Sequence, residues 1–441
     1  MKSILTGLPW LGALLLLLAT GCDRSGLALS PQAASFGASA RVRPNTLHVI
    51  PLHDFSYGEN VVGPGGSGAL IGDSSTALYG VVPAGGDKTC HTKDHYKGCG
   101  YVYELTPQSS GSTYNERVLY TFEGADGAEP IAALLMDATG NLYGTTALGG
   151  KHGKGTIFEM TPSGSGYTES VLHSFDGTDG SSPYTSLIEV SGTLYGTTGY
   201  GGPYKGSGCS GGCGVAFSQG ASGYKVLHYF GGTSSGSDGA VPYANLTDVN
   251  GTLYGTTDFG GSAGQGTVFE MSLSGQEQVL YSFKGGSDGA YPLGSGVVDV
   301  NGVLYGTTYG GGTKMCQCGI IYSLTTAGKE TPLHRFSGAC PDGEDPMASL
   351  RTVDGTLYGT TFKSGARSGC GCGVVFSIAP GSSGSSFQLQ TVFAGGKKGG
   401  HPAAPLLAGE SGSFFGTTST GGHGYGVAFE LAPGSGNTTK K

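Results

Sequence analysis

Short runs of alternating apolar and polar residues, interrupted every few positions by glycine, fill most of the chain. The clearest run is Leu-Tyr-Gly-Thr-Thr. Its tyrosine position falls at Tyr79, Tyr143, Tyr195, Tyr254, Tyr305, Tyr358 and Phe415. A Gly-x-Val-Phe-like run follows each copy, with its aromatic at Tyr103, Phe158, Phe217, Phe269, Tyr322, Phe376 and Phe429. A third run, Leu-x-x-Phe-like, ends at Phe55, Phe122, Phe175, Phe230, Phe283, Phe336 and Phe393. Side chains that alternate with period two predict strands. With a short apolar stretch before each Leu-Tyr-Gly, one unit holds four strands, A to D. In the third unit they are expected at 187–190, 193–198, 214–218 and 225–230. Ser191-Gly192 is a hairpin signal between A and B, and Asn250-Gly251 and Asn301-Gly302 are stronger ones.

Seven units of four short antiparallel strands predict an all-β fold, a seven-bladed β-propeller. One blade cannot bury both of its faces, whereas a ring of blades buries them all. The phase of the chain supports closure. The first element is a D strand at 47–55, and the last unit holds A, B and C and stops near Leu431. The N-terminal strand is therefore expected to pair with the last blade. An open β-solenoid is the competing architecture, but its coils are usually shorter, roughly 20–30 residues, and the out-of-phase ends argue against it. The propeller is expected over 46–433, with 434–441 a disordered tail.

Composition agrees with this reading. The chain has 441 residues and 87 glycines, but no Gly-X-Y period, which excludes collagen. Its 24 tyrosines and 18 phenylalanines exclude a disordered linker. A net charge of −8 argues against nucleic acid as a partner. At the N-terminus, Lys2 and an apolar stretch lead to Ala19-Thr20-Gly21-Cys22, which resembles the lipobox of bacterial lipoproteins. That resemblance implies a signal peptide over 1–21, cleavage before Cys22 and lipidation of its sulfur. An ordinary signal peptide with an incidental cysteine, or an uncleaved anchor, is the alternative. Residues 22–45, rich in Ser, Ala and Gly, read as a flexible tether. The expectation is an exported monomer, held to the bacterial cell envelope by lipid, in the periplasm or at the cell surface. Its apolar run falls short of the ~20 residues that span a bilayer.

Candidate chemistry concentrates in two loop classes. Asp-Gly recurs in the D-to-A loops at Asp126, Asp179, Asp238, Asp288 and Asp342. Asp suits a turn by accepting backbone hydrogen bonds; the sharper reading is a ligand face of carboxylates for Ca²⁺ or a cationic group. The B-to-C loops hold cysteine pairs, Cys90/Cys99, Cys209/Cys213, Cys316/Cys318 and Cys370/Cys372, all candidate disulfides in an exported protein. Cys340 is left over, in a D-to-A loop on the same expected face. Cys90-His91-x3-His95-x3-Cys99 has ligand types and spacing that suit zinc, although the oxidising compartment favours a disulfide. His53, His173, His228 and His334 share one position in strand D and are expected at the surface of the outer rim. The strand-B tyrosines are expected to pack between blades with bonded hydroxyls. The glycine after each is expected to let backbones approach.

The pattern Leu-Tyr-Gly-Thr-Thr-x-x-Gly-Gly, Gly-x-Val-Phe and Asp-Gly-x-x-Pro, as at 253–261, 266–269 and 288–292, resembles the GloVer tandem-repeat family of bacterial exported proteins. The resemblance covers about 47–431. It implies an exported repeat protein with no assigned reaction, so no catalytic residue, cofactor or metal is carried over. The first and last units depart from the pattern, at Tyr79-Gly80-Val81-Val82 and Phe415. The expected function is a non-enzymatic binding or scaffold module with a protein or glycan ligand. The alternative is a metal-dependent propeller hydrolase or lyase acting on carbohydrates or lactones, for which Glu344, Asp345 and the His91/His95 loop are the candidates that break the repeat.

Overall fold

A computed structural model describes residues 47–55, 69–73, 76–87, 89–90, 98–109, 113–164, 166–206, 208–232, 237–293, 296–314, 316–338, 342–363, 371–380 and 386–433. The expected signal peptide, Cys22, the tether and the tail lie outside these residues, as do His91, His95, Cys340 and Cys370.

The strands pair into seven four-stranded antiparallel sheets, each in the order A-B-C-D from the ring axis outward. The fourth blade is representative, with strands Thr247–Val249, Thr252–Thr257, Thr267–Ser272 and Glu277–Ser282. Asn250 and Asn301 take positive φ in the A–B turns, each followed by a positive-φ glycine. That is the geometry a tight hairpin needs. All seven C–D pairings shift register beside the strand-C aromatic, for example between Val268 and Phe269. A bulge at this place adds local twist to the outer edge of each blade.

The seventh blade closes the ring as the phase of the chain predicts. Leu407–Ala408, Phe414–Thr417 and Val427–Pro433 come from the C-terminal unit, and Leu47–Asp54 supplies the fourth strand. Its register runs from Leu47 opposite Pro433 to Asp54 opposite Val427.

The core is divided into seven apolar clusters, one at each seam between blades. At every seam the phenylalanine that ends strand D meets the strand-C aromatic of the next blade. The pairs are Phe55–Tyr103, Phe122–Phe158, Phe175–Phe217, Phe230–Phe269, Phe283–Tyr322, Phe336–Phe376 and Phe393–Phe429, with ring centroids 5.1 to 5.5 Å apart. All fourteen rings are essentially buried. Burying such a side chain contributes roughly 1.5–3 kcal/mol, and edge-to-face contact adds to it.

The strand-B glycine serves this pair rather than a close approach of backbones. A Cβ at Gly255 would stand 2.5 Å from Cζ of Phe269, its cross-strand partner. The same crowding recurs in every blade, from Gly80 beneath Tyr103 to Gly416 beneath Phe429. The two threonines that follow do more than favour a strand. The first donates across the seam, as Thr197 Oγ1 does to the Pro242 carbonyl at 3.1 Å and Thr256 Oγ1 to that of Pro292 at 3.1 Å. The second binds within its loop, as Thr198 does to the Tyr200 carbonyl at 2.7 Å.

Candidate functional site

The recurrent aspartates sit at the outer edge, where each latches the turn between strand D and the loop after it. One oxygen accepts a backbone N–H: Glu123 for Asp126, Asp176 for Asp179, Gly232 for Asp238, Lys284 for Asp288 and Ser337 for Asp342. The carboxylate also meets the residue two before the strand-D phenylalanine. That residue is Tyr120 or Tyr281, whose hydroxyl donates, or His173, His228 or His334. The histidines are therefore not rim surface. Their side chains keep only about a fifth of their exposure, because the next blade's D strand covers them. Tyr224 stacks on His173 and Phe387 on His334, while Glu116 pairs with His53 at 3.1 Å. Burial would raise the Asp342 carboxyl, but hydrogen bonds from His334 and Ser337 outweigh it and hold it below the ordinary range. Among the described residues no two of these aspartates share a ligand cluster, so they form separate latches around the ring.

The cysteine loops stand on the same face as the D-to-A loops, and bridges such as Ala240 with Phe259 join the two loops within a blade. The structure pairs Cys90 with Cys99, Cys209 with Cys213 and Cys316 with Cys318. Cys372 is also disulfide-bonded. The second cysteine of each pair carries a further contact. The carbonyls of Cys99, Cys213, Cys318 and Cys372 accept N–H bonds from Glu129, Val241, Asp345 and His401 of the next blade, at 2.8 to 3.1 Å.

Those acceptor bonds lead to the mouth of the central channel. Six non-glycine residues there, each followed by proline, take φ between 54° and 60°: Glu129, Ser182, Val241, Tyr291, Asp345 and His401. Every one donates its N–H to the preceding blade and accepts at its carbonyl from the residue just after the Thr-Thr pair, as Asp258 N does to Val241 O. The left-handed region is costly for L-residues, and a following proline restricts the backbone further. Glycine fills most of the other positive-φ positions among the described residues. At the rim, side chains are kept in spite of the strain, which is the pattern found at ligand clamps.

The rim is also where the blades differ most. The residue after Thr-Thr is Ala147, Gly199, Asp258, Tyr309, Phe362 or Ser419, and the residue after the proline is Ile131, Tyr184, Tyr243, Leu293, Met347 or Ala403. Aromatic side chains gather along one arc. Tyr184 and Tyr200 both meet Tyr243 edge-on, at 5.1 and 5.9 Å between centroids. Phe259 meets Tyr291 at 5.6 Å, and Phe362 meets His401 at 4.8 Å. Gly199 makes room for this, since a Cβ there would collide with the Tyr243 ring. Charged groups lie beneath the arc. Asp345 pairs with Lys363 at 2.9 Å; burial disfavours the Lys363 ammonium, but Asp345 more than offsets that and raises its pKa. Asp258 is buried with no partner at either carboxyl oxygen among the described residues, and burial drives its pKa well up. Of the sequence candidates, Asp345 belongs to this rim, while Glu344 faces outward to Cys318.

The opposite end of the channel, near the A–B turns, holds a cavity of about 490 Å³ lined by Thr247, Asp248, Val249, Asn250, Val298, Asp299, Leu350, Arg351 and Thr352. Asp248 and Asp299 cap the turns through Gly251 and Gly302 there, at 3.0 Å each.

The family model described as the Gloeobacter/Verrucomicrobia repeat matches residues 26–263, 89–318 and 250–441. A comparison with curated protein sequences finds no match. Solved structures similar to this chain include a protein of unknown function from Dyadobacter fermentans, at 10% identity, covering 80% of this chain and 100% of that one, with a TM-score of 0.42. Another is a structural-genomics target described as a candidate gluconolactonase, at 12% identity, covering 79% of this chain and 95% of that one, with a TM-score of 0.37. A third is the neuraminidase-like protein of the flat-faced bat virus subtype N11, at 12% identity, covering 79% and 94%, with a TM-score of 0.36.

Proposed function

The chain belongs to the Gloeobacter/Verrucomicrobia repeat family, and from that premise we propose that it is an exported, lipid-anchored binding propeller that takes a glycan at the channel mouth. The observation that carries this reading is the strained, non-repeating rim. Positions that serve the ring repeat from blade to blade. The rim side chains do not repeat, and six of them are held in left-handed backbone where glycine would suffice.

The chemistry of the rim fits a sugar. A sugar ring offers an apolar C–H face and an edge of hydroxyls. Half-buried Tyr184, Tyr200, Tyr291 and Tyr309 offer flat apolar faces, and their hydroxyls with Asp345 and Lys363 offer polar partners. The staples behind Cys99, Cys213, Cys318 and Cys372 hold the rim backbone in place, which lowers the ordering cost of binding. Lipidation at Cys22 would hold this face at the envelope on a tether of about twenty residues.

Calorimetric titration tests the binding reading. A soluble form starting at residue 23 would be titrated with muropeptides and envelope polysaccharide fragments. Binding that is weakened at least tenfold by Tyr184→Ala or Tyr309→Ala is expected. A folded wild-type protein that binds none of these glycans overturns the proposal. The anchor has its own test: Cys22→Ala should move the protein from the membrane fraction to the soluble exported fraction, and an unchanged membrane fraction removes the lipid anchor.

A further inference from the structure

The sixth D-to-A loop differs from its counterparts in a way that neither the ring nor the rim explains. Where five other blades carry Ala128, Ser181, Ala240, Ala290 and Gly400, this one carries Glu344. Its carboxylate turns to the neighbouring cysteine pair, with Oε2 3.7 Å from Sγ of Cys318. The sulfurs of Cys316 and Cys318 and the Glu344 carboxylate oxygen all lie within 4.8 Å of one another. They converge beside Gly338. A Cβ on that glycine would stand 2.7 and 2.9 Å from the two sulfurs and 3.2 Å from Oε2. Gly338 thus leaves a small cradle with two sulfur donors and one oxygen donor around it.

We propose that Cys316, Cys318 and Glu344 form a redox-gated metal site. In the oxidised form the two sulfurs are joined, as in the structure. A two-electron reductant, such as a dithiol, cleaves that bond to two thiols and is itself oxidised to a disulfide. Each thiol then loses its proton as a borderline or soft divalent cation, with Zn²⁺ the type case, takes the two thiolates and the carboxylate. Three protein ligands leave a tetrahedral cation one open position.

Two features favour the site over a plain loop staple. The Cys90–Cys99 and Cys209–Cys213 bridges also meet a glycine after strand D, Gly124 and Gly231, but among the described residues no carboxylate clusters with both of their sulfurs. A staple therefore does not require Glu344. Conversely, two thiolates and a carboxylate crowded together repel one another unless a cation lies between them. The ligands are also held in place beforehand. Thr313 Oγ1 accepts from the Cys316 N–H at 3.2 Å, Asp345 N–H donates to the Cys318 carbonyl at 3.1 Å, and Glu344 bridges Lys363 through both backbone groups.

The test uses the soluble chain from residue 23, with Co²⁺ and Zn²⁺ as probes. After reduction with a phosphine and removal of the reductant, one equivalent of Co²⁺ should bind and give a thiolate-to-cobalt charge-transfer band, which Zn²⁺ then abolishes. The untreated, oxidised protein should give no band. Glu344→Gln keeps the shape and the cysteines, and should weaken Co²⁺ binding at least tenfold. Cys316→Ser with Cys318→Ser should abolish it. Reduced protein with a native circular dichroism spectrum but no band overturns the proposal. So does a band that survives both serine substitutions, or one indifferent to Glu344→Gln. The glutamine variant keeps the test decisive if the serine variant fails to fold.

Discussion

His173 lies flat on Tyr224 of the next blade, ring centroids 3.7 Å apart and planes within 4° of parallel. Asp179 holds the imidazole from its own blade, 2.9 Å from Nε2. One side chain thus joins a loop, a strand and the neighbouring blade. His334, Asp342 and Phe387 repeat the arrangement, with rings 3.8 Å apart. A double-mutant cycle on His173→Ala and Tyr224→Ala should return a coupling of about 0.5–1.5 kcal/mol. Coupling within experimental error would mean that the stacked rings are adjacent without supporting the seam.

Four blades place a glutamate where Tyr224 stands, Glu116, Glu169, Glu277 and Glu330. Burial first, and then a neighbouring aspartate for each (Asp126, Asp238 and Asp288), raise Glu169, Glu277 and Glu330 to about 7. In Glu169, Glu277 and Glu330, Oε1 is buried without a partner among the described residues. In the unfolded chain these groups titrate near 4.5, so between about 4.5 and 7 the folded form binds more protons. Their contribution is complete below the unfolded value and is lost as pH rises through the folded one. The triple variant Glu169→Gln, Glu277→Gln, Glu330→Gln should therefore melt higher than wild type at pH 8 and about equally at pH 5. Melting curves at both values check this, and an equal difference at the two pH values contradicts it.

Ring closure depends on one strand. Leu52 and Phe55 are buried, and Phe55 forms the last of the seven aromatic pairs with Tyr103. Phe55→Ala should cost about 3–5 kcal/mol. A chain beginning at residue 57 exposes the edge of Val427–Pro433 and should lose cooperative melting or aggregate. Cooperative melting of that truncated chain at the wild-type temperature would show that the ring does not need its N-terminal strand.

Seven repeats, their order and their phase were legible because each strand carries its own period and the turns carry their own glycines. Closure by residues 47–54 followed from counting strands. The histidine latch was not legible, since its covering partner lies about fifty residues further on, in another blade, and is Glu116, Tyr224 or Phe387 as the blade changes. The rim was hidden for a similar reason. It is assembled from single positions that do not repeat, so no motif marks them; the one available signal was a side chain before proline where the loop needs positive φ. The strand-B glycine shows the same limit. Its invariance within the chain was plain, but the ring above it comes from pairing. Gly255→Ala should cost about 1–3 kcal/mol by overpacking against Phe269, and a milder effect from the same change at Gly251, where an added Cβ meets nothing within 4 Å, would be explained by backbone strain alone. Equal losses at the two sites, measured by denaturant titration, would remove the overpacking account.

Asp258 separates stability from binding at the rim. Its carboxyl is buried without a hydrogen-bond partner among the described residues, and burial drives its pKa well above the ordinary carboxylate range. A group left in that state costs folding free energy, by about 1–3 kcal/mol for an unsatisfied polar group. The second blade carries Ala147 at this place and forms the same backbone bonds, from Ala147 N to Glu129 O at 3.0 Å. Asp258→Ala should therefore raise the melting temperature. If the carboxyl is kept for a ligand at the aromatic arc, the same variant should bind the muropeptide or polysaccharide fragment less tightly, the usual exchange of stability for function. Melting curves and calorimetry on one preparation read both effects. A less stable variant would show that Asp258 has a partner in the folded protein, and a more stable variant with unchanged affinity would remove it from the binding rim.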